Sequence, residues 1–424
     1  MTEAFIHYLW QFQQFNKSLL KTVTDEALTI FRTGMLNTDA GPDFSNARLQ
    51  IGEIEWIGNV EIHIRASDWQ KHRHQHDRAY NNVILHVVWE NDEIILRQDG
   101  SPIPTLALKQ ITDINLLSKY QELITANAPL IPCETHFKRV SDLSKIAVLD
   151  KALMKRLIQK STFVEELLEQ NKGDWEETTY QLLVRNFGFK LNSEPFLRLA
   201  RVVPLKVLQK HKDNLFQIEA MLFGQAGLLI GDDEYSNKLL QEYKFFMSKF
   251  SWEDKNLHLH EWKLLRTRPA NFPTIRIAQL ARLITQQKSF FSLFTQTDSI
   301  ESLRKALLIE QSPYWQEHYE FGKKAAKRLR GLGMDSVNIL LINTVIPLLA
   351  CYAQKIDNQV FMDRAISFLE AFPAENNYIT EIWREVGLEI KTAFDSQASI
   401  ELYNHYCTQK KCLQCNIGVE ILKG

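Results

Sequence analysis

Residues 41–90 read GPDFSNARLQIGEIEWIGNVEIHIRASDWQKHRHQHDRAYNNVILHVVWE, and this stretch decides the fold of the N-terminal part. Residues 48–52 and 55–65 have the pattern of two strands joined as a hairpin. Residues 82–89 form a continuous apolar run, which is typical of a buried central strand. A helix predicted at 3–15 and a strand predicted at 27–33 precede them. The first 111 residues are therefore predicted to form an α/β core.

From residue 112 the pattern changes, because apolar residues recur at the three- and four-residue spacing of helices. This spacing predicts helices at 143–169, 176–187, 194–209, 215–229, 236–248, 275–286, 301–309, 314–330, 335–353 and 359–371. Strand signals are nearly absent here. The predicted fold class is α+β, with a core at 1–111, a large all-helical domain at 112–395 and a short cysteine-containing tail at 396–424.

The composition is that of an ordinary soluble globular protein, with 45% hydrophobic and 24% charged residues among 424. No apolar run approaches the roughly 18 residues of a membrane span, and no signal peptide precedes the first helix, so we expect a cytoplasmic protein without a membrane. Residues 1–110 contain 10 Lys or Arg against 14 Asp or Glu. This acidic region suits a cation site better than a broad contact with nucleic acid.

The first candidate site combines Asp43, Glu61 and His63. Asp43 follows a Gly-Pro turn, and 17 residues separate it from Glu61. Glu61 and His63 are two apart on a predicted strand, so their side chains point to the same face. Two carboxylates suffice to hold Mg²⁺ or Mn²⁺, and the imidazole is suited to orient water, act as a base or join the metal.

A histidine-rich segment follows, and it forms the second candidate site. The polar segment 68–77 is predicted to be extended, so that alternate residues face one side, and its candidate ligands are His72, His74 and Asp77, with His86 on the next predicted strand. These side chains are typical ligands of Zn²⁺ or Mn²⁺. His86 lies within an apolar run, which also favours a buried structural histidine.

The C-terminal tail forms the third candidate site. Cys407, Cys412 and Cys415 have C-x₄-C-x₂-C spacing, which allows their thiolates to bind one Zn²⁺. A tetrahedral site needs a fourth ligand, and the candidates are the neighbouring His405 and the distant Cys133. Because no secretion signal is present, a metal is favoured over disulfides.

Arginines mark a fourth candidate site, in the segment RTRPANFPTIR at residues 266–276. Arg268 and Arg276 lie near the predicted start of a helix, where backbone N–H groups and guanidinium groups favour phosphate. A rigid connection whose arginines pair with acids is the alternative interpretation.

The arrangement of Asp43, Glu61 and His63 resembles the motif of the PD-(D/E)xK metal-dependent nucleases. The resemblance implies a restriction-endonuclease-like core in which the two carboxylates hold Mg²⁺ or Mn²⁺. His63 stands where these nucleases usually have lysine, and it would assist the attacking water. Arg268 and Arg276 would then contact a phosphate of DNA or RNA.

Some nucleases of this class carry an iron–sulfur cluster on four cysteines, which implies such a cluster as the alternative to Zn²⁺ on Cys133 and the three tail cysteines. Over most of its length the chain also resembles a bacterial family of unknown function, DUF2851. The stretches that carry this resemblance are AGPDFSNA, GNVEIH, SDWQKHRHQHDRAYNNVILHVV, RTRPANFPTIRIAQLA and YCTQKKCLQCNIG. This family implies no activity.

Three functions are compatible with these residues. The leading hypothesis is a divalent-metal-dependent nuclease or phosphodiesterase. The second is a non-catalytic adaptor with a degenerate nuclease fold, favoured by His63 in place of lysine. The third is a hydrolase of small phosphorylated molecules that uses the histidines from His72 to His86. Metal content and metal-dependent cleavage discriminate among them.

Overall fold

A computed structural model describes residues 1–37, 40–125, 130–231, 233–264 and 268–423. It is 56% helical and 12% strand, with the strands concentrated near the N-terminus, so the α+β class is confirmed. The strands are β1 (Leu28–Arg32), β2 (Met35–Leu36), β3 (Phe44–Ile51), β4 (Ile54–Arg65), β5 (Val83–Glu90), β6 (Thr105–Ala107), β7 (His318–Glu320) and β8 (Lys323–Lys324).

The helices of the described residues, apart from short 3₁₀ and π turns, are α1 (Glu3–Gln11), α2 (Asp68–Lys71), α3 (Ile114–Thr125), α4 (Asp142–Gln170), α5 (Trp175–Phe187), α6 (Ser193–Val202), α7 (Leu205–Gln209), α8 (Leu215–Gln225), α9 (Glu234–Phe250), α10 (Pro273–Gln286), α11 (Phe290–Gln296), α12 (Ile300–Leu307), α13 (Pro313–Glu317), α14 (Met334–Lys355), α15 (Gln359–Ala371), α16 (Tyr378–Val386), α17 (Ala393–Leu402) and α18 (Asn416–Lys423).

The chain divides into two compact units. The first contains Met1–Val148 and Leu402–Gly424, and the second contains Leu149–Glu401. The cysteine tail therefore belongs to the same unit as the N-terminal sheet, although about 250 residues separate them in sequence. Within this first unit the amide of Ser141 donates a hydrogen bond to Glu420 at 2.7 Å, which ties α18 to the segment before α4.

A mixed sheet forms the centre of the first unit, with strand order β1-β3-β4-β5-β6 and β2 paired to β3. The predicted hairpin of β3 and β4 is present and antiparallel. β4 and β5 are parallel, and so are β5 and β6. Every residue from Val83 to Val88 is buried, as the apolar run predicts for a central strand. β4 and β5 approach closely at Gly58, where a Cβ would lie 2.5 Å from Ile84.

The second unit is helical except for the hairpin of β7 and β8, among the residues that the structure describes. Residues 314–330 were predicted as one helix, and this prediction is wrong beyond Glu317. Gly322 has φ of +71°, which favours glycine and allows the chain to reverse between the two strands. Trp315 is buried and Tyr319 follows four residues later, and this spacing of aromatic residues imitates that of a helix.

α14 is long and apolar enough to cross a membrane by length and composition. Its most apolar window is 78% buried inside the structure, however. Such burial is typical of the central helix of a helical core, which is apolar on all sides.

Candidate metal site

Two strands supply the buried part of the site. Glu61 and His63 point to the same face of β4, and parallel pairing places Glu61 beside His86 of β5. Glu61 is 5% exposed, His63 is 1% exposed and His86 is fully buried. Polar side chains in the middle of two central strands are costly unless they have partners.

The segment after β4 supplies the other part of the site. Trp69 of α2 is buried and anchors the segment against the sheet. Arg73 has φ of +61°, a left-handed conformation that turns the chain between His72 and His74. The ring of Tyr80 stacks on His74 with 3.8 Å between centroids. The turn and the stacking hold the two histidines over β4.

Three imidazoles converge here, because one ligand nitrogen from each of His63, His72 and His74 lies within 4.8 Å of the others. Nε2 of His63 is 3.1 Å from Nδ1 of His72. Oε1 of Glu61 is 3.3 Å from Nε2 of His74 and 3.7 Å from Nε2 of His63. Zn²⁺ bonds of about 2.0–2.1 Å in a tetrahedral site place the donor atoms roughly 3.3 Å apart. The three histidines thus have the spacing of ligands around one metal ion, and Glu61 lies beside two of them.

The electrostatics of the site also fit a cation. Burial, and next the carboxylate of Asp43, raises the pKa of Glu61 to about 9. Burial, and next the neighbouring His86, lowers the pKa of His63 to about 2, so this imidazole is neutral, the form that binds metals. Nε2 of His74 is buried without a hydrogen-bond partner. Nitrogen-rich donors favour Zn²⁺ or Mn²⁺ over Mg²⁺.

His86 orients His63 by contacting the ring nitrogen that does not face His72. Its Nε2 shares a 2.8 Å hydrogen bond with Nδ1 of His63, which leaves Nε2 of His63 directed at the other donors. Such outer hydrogen bonds fix the orientation of ligand imidazoles. His86 was predicted as a ligand or a structural histidine, and its position behind His63 corresponds to the structural alternative.

Asp43 lies beside this donor group, immediately before β3. Its amide donates to Oε2 of Glu61 at 3.1 Å, and its Oδ2 accepts from the amide of Ile62 at 2.9 Å. Its side chain is 24% exposed. The structure therefore brings Asp43, Glu61 and His63 together, with Asp43 on the side that solvent reaches.

Two residues of α1 complete the surroundings of Asp43, and neither belongs to a sequence motif of the candidate sites. Nε2 of His7 lies 3.3 Å from Oδ2 of Asp43. Burial, followed by the charge of Asp43, raises the pKa of Glu3. Glu3 and His7 are four residues apart in an amphipathic helix, so they share a face. That spacing was the available sequence signal.

Part of the histidine segment behaves differently from the prediction. The segment is not extended, because α2 and a 3₁₀ turn at His74–His76 interrupt it. His76 is exposed. The carboxylate of Asp77 accepts a hydrogen bond from the amide of Ala79, so it caps the next turn. The alternation in sequence therefore identified His72 and His74 for a wrong geometric reason.

The four candidate cysteines all lie in the first unit. The buried thiols are Cys133, Cys412 and Cys415, and Cys407 lies in a π-helical turn and is half-buried. Burial, and then Cys415 and Cys412, raises the pKa of Cys133. Burial, and next Cys133, raises the pKa of Cys407. The distant cysteine is therefore a neighbour of the tail cysteines.

The thiols are less closely spaced than the histidines. Among the described residues, the three histidines are the group with donor atoms within 4.8 Å of one another, and no three thiols form such a group. Zn²⁺–sulfur bonds of about 2.3 Å would require sulfur atoms roughly 3.8 Å apart. Among the described residues, the thiols therefore lack the close spacing of a preformed zinc site. His405, the other candidate for the fourth ligand, precedes Cys407 by two residues in the sequence.

The two candidate arginines lie in the second unit, and they line one cavity of about 480 Å³. Arg268 is exposed, whereas Arg276 is 6% exposed. Their neighbour Arg266 lies outside the described residues. Contact with a substrate phosphate of the first site stays a prediction for both arginines.

Comparison with known families assigns the chain. The model of a family described as protein of unknown function, DUF2851, matches residues 3–378. The chain belongs to this family. The part of the DUF2851 protein that matches contains the histidine site, Cys133 and both arginines, and it ends before the three tail cysteines. No curated protein and no solved structure matches the chain.

Proposed function

We propose that this DUF2851 protein is a divalent-metal-dependent phosphodiesterase that acts on nucleic acid. The observation that carries the proposal is the convergence of His63, His72 and His74 at the spacing of ligands around one metal ion, with the carboxylate of Glu61 beside His63 and His74. The Asp-x₁₇-Glu-x-His motif and the mixed sheet beneath it support phosphodiester chemistry, because they are compatible with the expected nuclease-like core.

A divalent ion bound there would neutralise charge on a phosphate and activate water. His63, His72, His74 and Glu61 would hold it, so His63 has the role of a ligand and not of a base. Asp43 has the role of general base, because its carboxylate is partly exposed and lies beside Glu61. Its hydrogen bond from Ile62 fixes its orientation.

Hydrolysis of small phosphorylated molecules is the second candidate. The participation of His72 and His74 favours it, because this function was the one predicted to use the histidine segment. His72 is exposed, so small substrates can reach the donors directly. The acidic N-terminal region also suits a small ester better than a long polyanion.

The test begins with the full-length protein purified and analysed for zinc and manganese. Hydrolysis is then measured on single- and double-stranded DNA and RNA, on bis(p-nitrophenyl) phosphate and on p-nitrophenyl phosphate, with and without each metal. The informative variant is His74→Ala, and His76→Ala is its matched control because His76 is an exposed histidine of the same segment.

We expect about one metal ion per chain at this site and metal-dependent cleavage of a diester, both lost in His74→Ala and kept in His76→Ala. Cleavage of the monoester alone would favour the second candidate. Stoichiometric metal without any hydrolysis would assign the site a structural role, and absence of both would favour the adaptor.

We also propose that Cys133, Cys407, Cys412 and Cys415 hold an iron–sulfur cluster, with Zn²⁺ as the alternative. The proximity of Cys133 to the tail thiols supports a shared site, and the resemblance to nucleases with four-cysteine clusters favours iron–sulfur. Iron, sulfide and zinc analysis of protein purified without air distinguishes the two.

A further inference from the structure

The cavity in the second unit has the character of a ligand site. Its volume is about 480 Å³, within the usual range of sites for small molecules. Apolar side chains form most of its walls, among them Phe187, Phe196 and Ile339. Arg276 forms its most buried charged part.

Arg276 is a buried cation without an anion. Its Nη1 donates to Oε1 of Gln279 at 3.0 Å, and its Nη2 donates to Oδ1 of Asn271 at 2.7 Å and to Oγ of Ser336 at 3.5 Å. All three partners are neutral, and Nε has no hydrogen-bond partner. Among the residues that the structure describes, no ion pair involves Arg276. An uncompensated buried charge is strongly unfavourable, so this position favours a bound counter-ion.

The surrounding residues hold the guanidinium in one place. It lies over the ring of Phe189, 4.4 Å from the centroid. Phe189 has φ of +49°, an unusual backbone conformation for an aromatic residue and one that costs free energy. At the preceding Gly188, a Cβ would lie 2.2 Å from the carbonyl oxygen of Asn192, so this turn requires glycine. The strained turn places an aromatic platform under the cation.

We propose that this cavity binds a small amphipathic anion, with a carboxylate or phosphate group at Arg276 and an apolar body against the phenylalanine walls. The exposed cations Arg268 and Lys190 lie at the same cavity and would attract the anion. This inference is independent of the metal site, because it concerns the second unit alone.

The experiment uses the full chain and measures its melting temperature and binding heats with inorganic phosphate, acetate, octanoate, benzoate and phenyl phosphate. We expect octanoate, benzoate or phenyl phosphate to raise the melting temperature by at least about 2 °C, and inorganic phosphate and acetate to have less effect. These comparisons show whether the site requires an apolar body. Comparing the effect of octanoate and benzoate with that of phenyl phosphate shows whether the site prefers a carboxylate or a phosphate group.

Two variants test the assignment. Arg276→Gln removes the charge and should weaken binding at least about 10-fold, whereas Lys288→Gln, an exposed control just after α10, should not. Ile339→Trp keeps the charge but fills the cavity, so it should also weaken binding. This variant provides the test if Arg276→Gln fails to fold. The inference is overturned if none of the apolar anions stabilises the wild type, or if each stabilises both cavity variants as much as the wild type.

Discussion

The two units contain buried polar groups of opposite character. In the first unit, the nitrogens of three histidines lie within 4.8 Å of one another, and an oxygen of Glu61 lies 3.3 Å from one of them. In the second unit, Lys160 donates to Asn343 and Gln397 at 2.9 Å each, and Arg156 also donates to Gln397. The second network satisfies its own donors. The first gathers electron-pair donors that a cation would satisfy, so convergence of such donors is the feature that indicates a cation site.

The largest expected effect is on the cysteine site of the first unit. Cys133→Ser should remove the bound iron or zinc and release residues 402–423 from the first unit, because metal binding contributes directly to folding. Metal analysis and limited proteolysis of the tail measure this. The matched control is Cys351→Ala, a buried cysteine of the second unit, which should change neither. An intact tail without metal in the wild type would contradict the prediction.

Metal added to the histidine site should stabilise one unit selectively. At 1,000 times the dissociation constant, a ligand stabilises the folded state by about 4 kcal/mol. We expect hydrogen exchange to slow in β4 after addition of Zn²⁺ or Mn²⁺, with little change in α14 of the second unit. His74→Ala should abolish the difference. Equal slowing of exchange in β4 and in α14 would mean that the ion binds at another place.

A smaller effect on metal affinity is expected from a change at His86, which contacts the candidate ligand His63. His86→Phe keeps an aromatic ring beside Trp69 but removes the hydrogen bond to His63. Loss of such an outer partner typically weakens metal affinity 10- to 100-fold, so we expect a weakening of about that size in a metal titration. His76→Phe serves as the exposed control. Unchanged affinity in His86→Phe would exclude His86 from orienting the ligand.

The smallest effect concerns the second unit and its response to pH. Burial, and next the charge of Arg156, lowers the pKa of Lys160 to about 7. Between pH 7 and the ordinary lysine pKa near 10.4, the unfolded chain binds more protons than the native one, so stability rises with pH by up to about 1.4 kcal/mol per unit. Lys160→Met should flatten this rise, whereas Lys206→Met, at an exposed position, should not. Denaturant unfolding from pH 7 to 9 provides the comparison.

Sequence periodicity predicted the strands because their environment is regular. Continuous burial of β5 and the alternation of β3 from Ala47 to Ile51 follow directly from their apolar patterns. The same reasoning failed at β7 and β8, where aromatic residues four apart imitate helical spacing and a single glycine reverses the chain. Local patterns therefore predict elements well where one element continues for several turns or pleats.

The candidate site was only partly predictable from the sequence, because its donor residues lie in a strand and in a turn, which have different sequence patterns. Glu61 and His63 share a face by the two-residue repeat of a strand. His72 and His74 reach the same point because of the left-handed turn at Arg73, which no residue preference indicated. Arginine in that conformation has no simple signature. The involvement of α1 required knowledge of tertiary packing.

The first unit is built from two segments that are distant in sequence, and this determines the order in which its parts can fold during synthesis. A ribosome synthesises residues 149–401 before residues 402–424, so the helical unit is complete while the sheet unit still lacks its second segment. Domains generally fold as units during synthesis, and Cys133 is therefore in place before the three tail cysteines are made. Joining the two segments closes a loop of about 250 residues, which makes the docking of α18 a late step in the folding of the first unit.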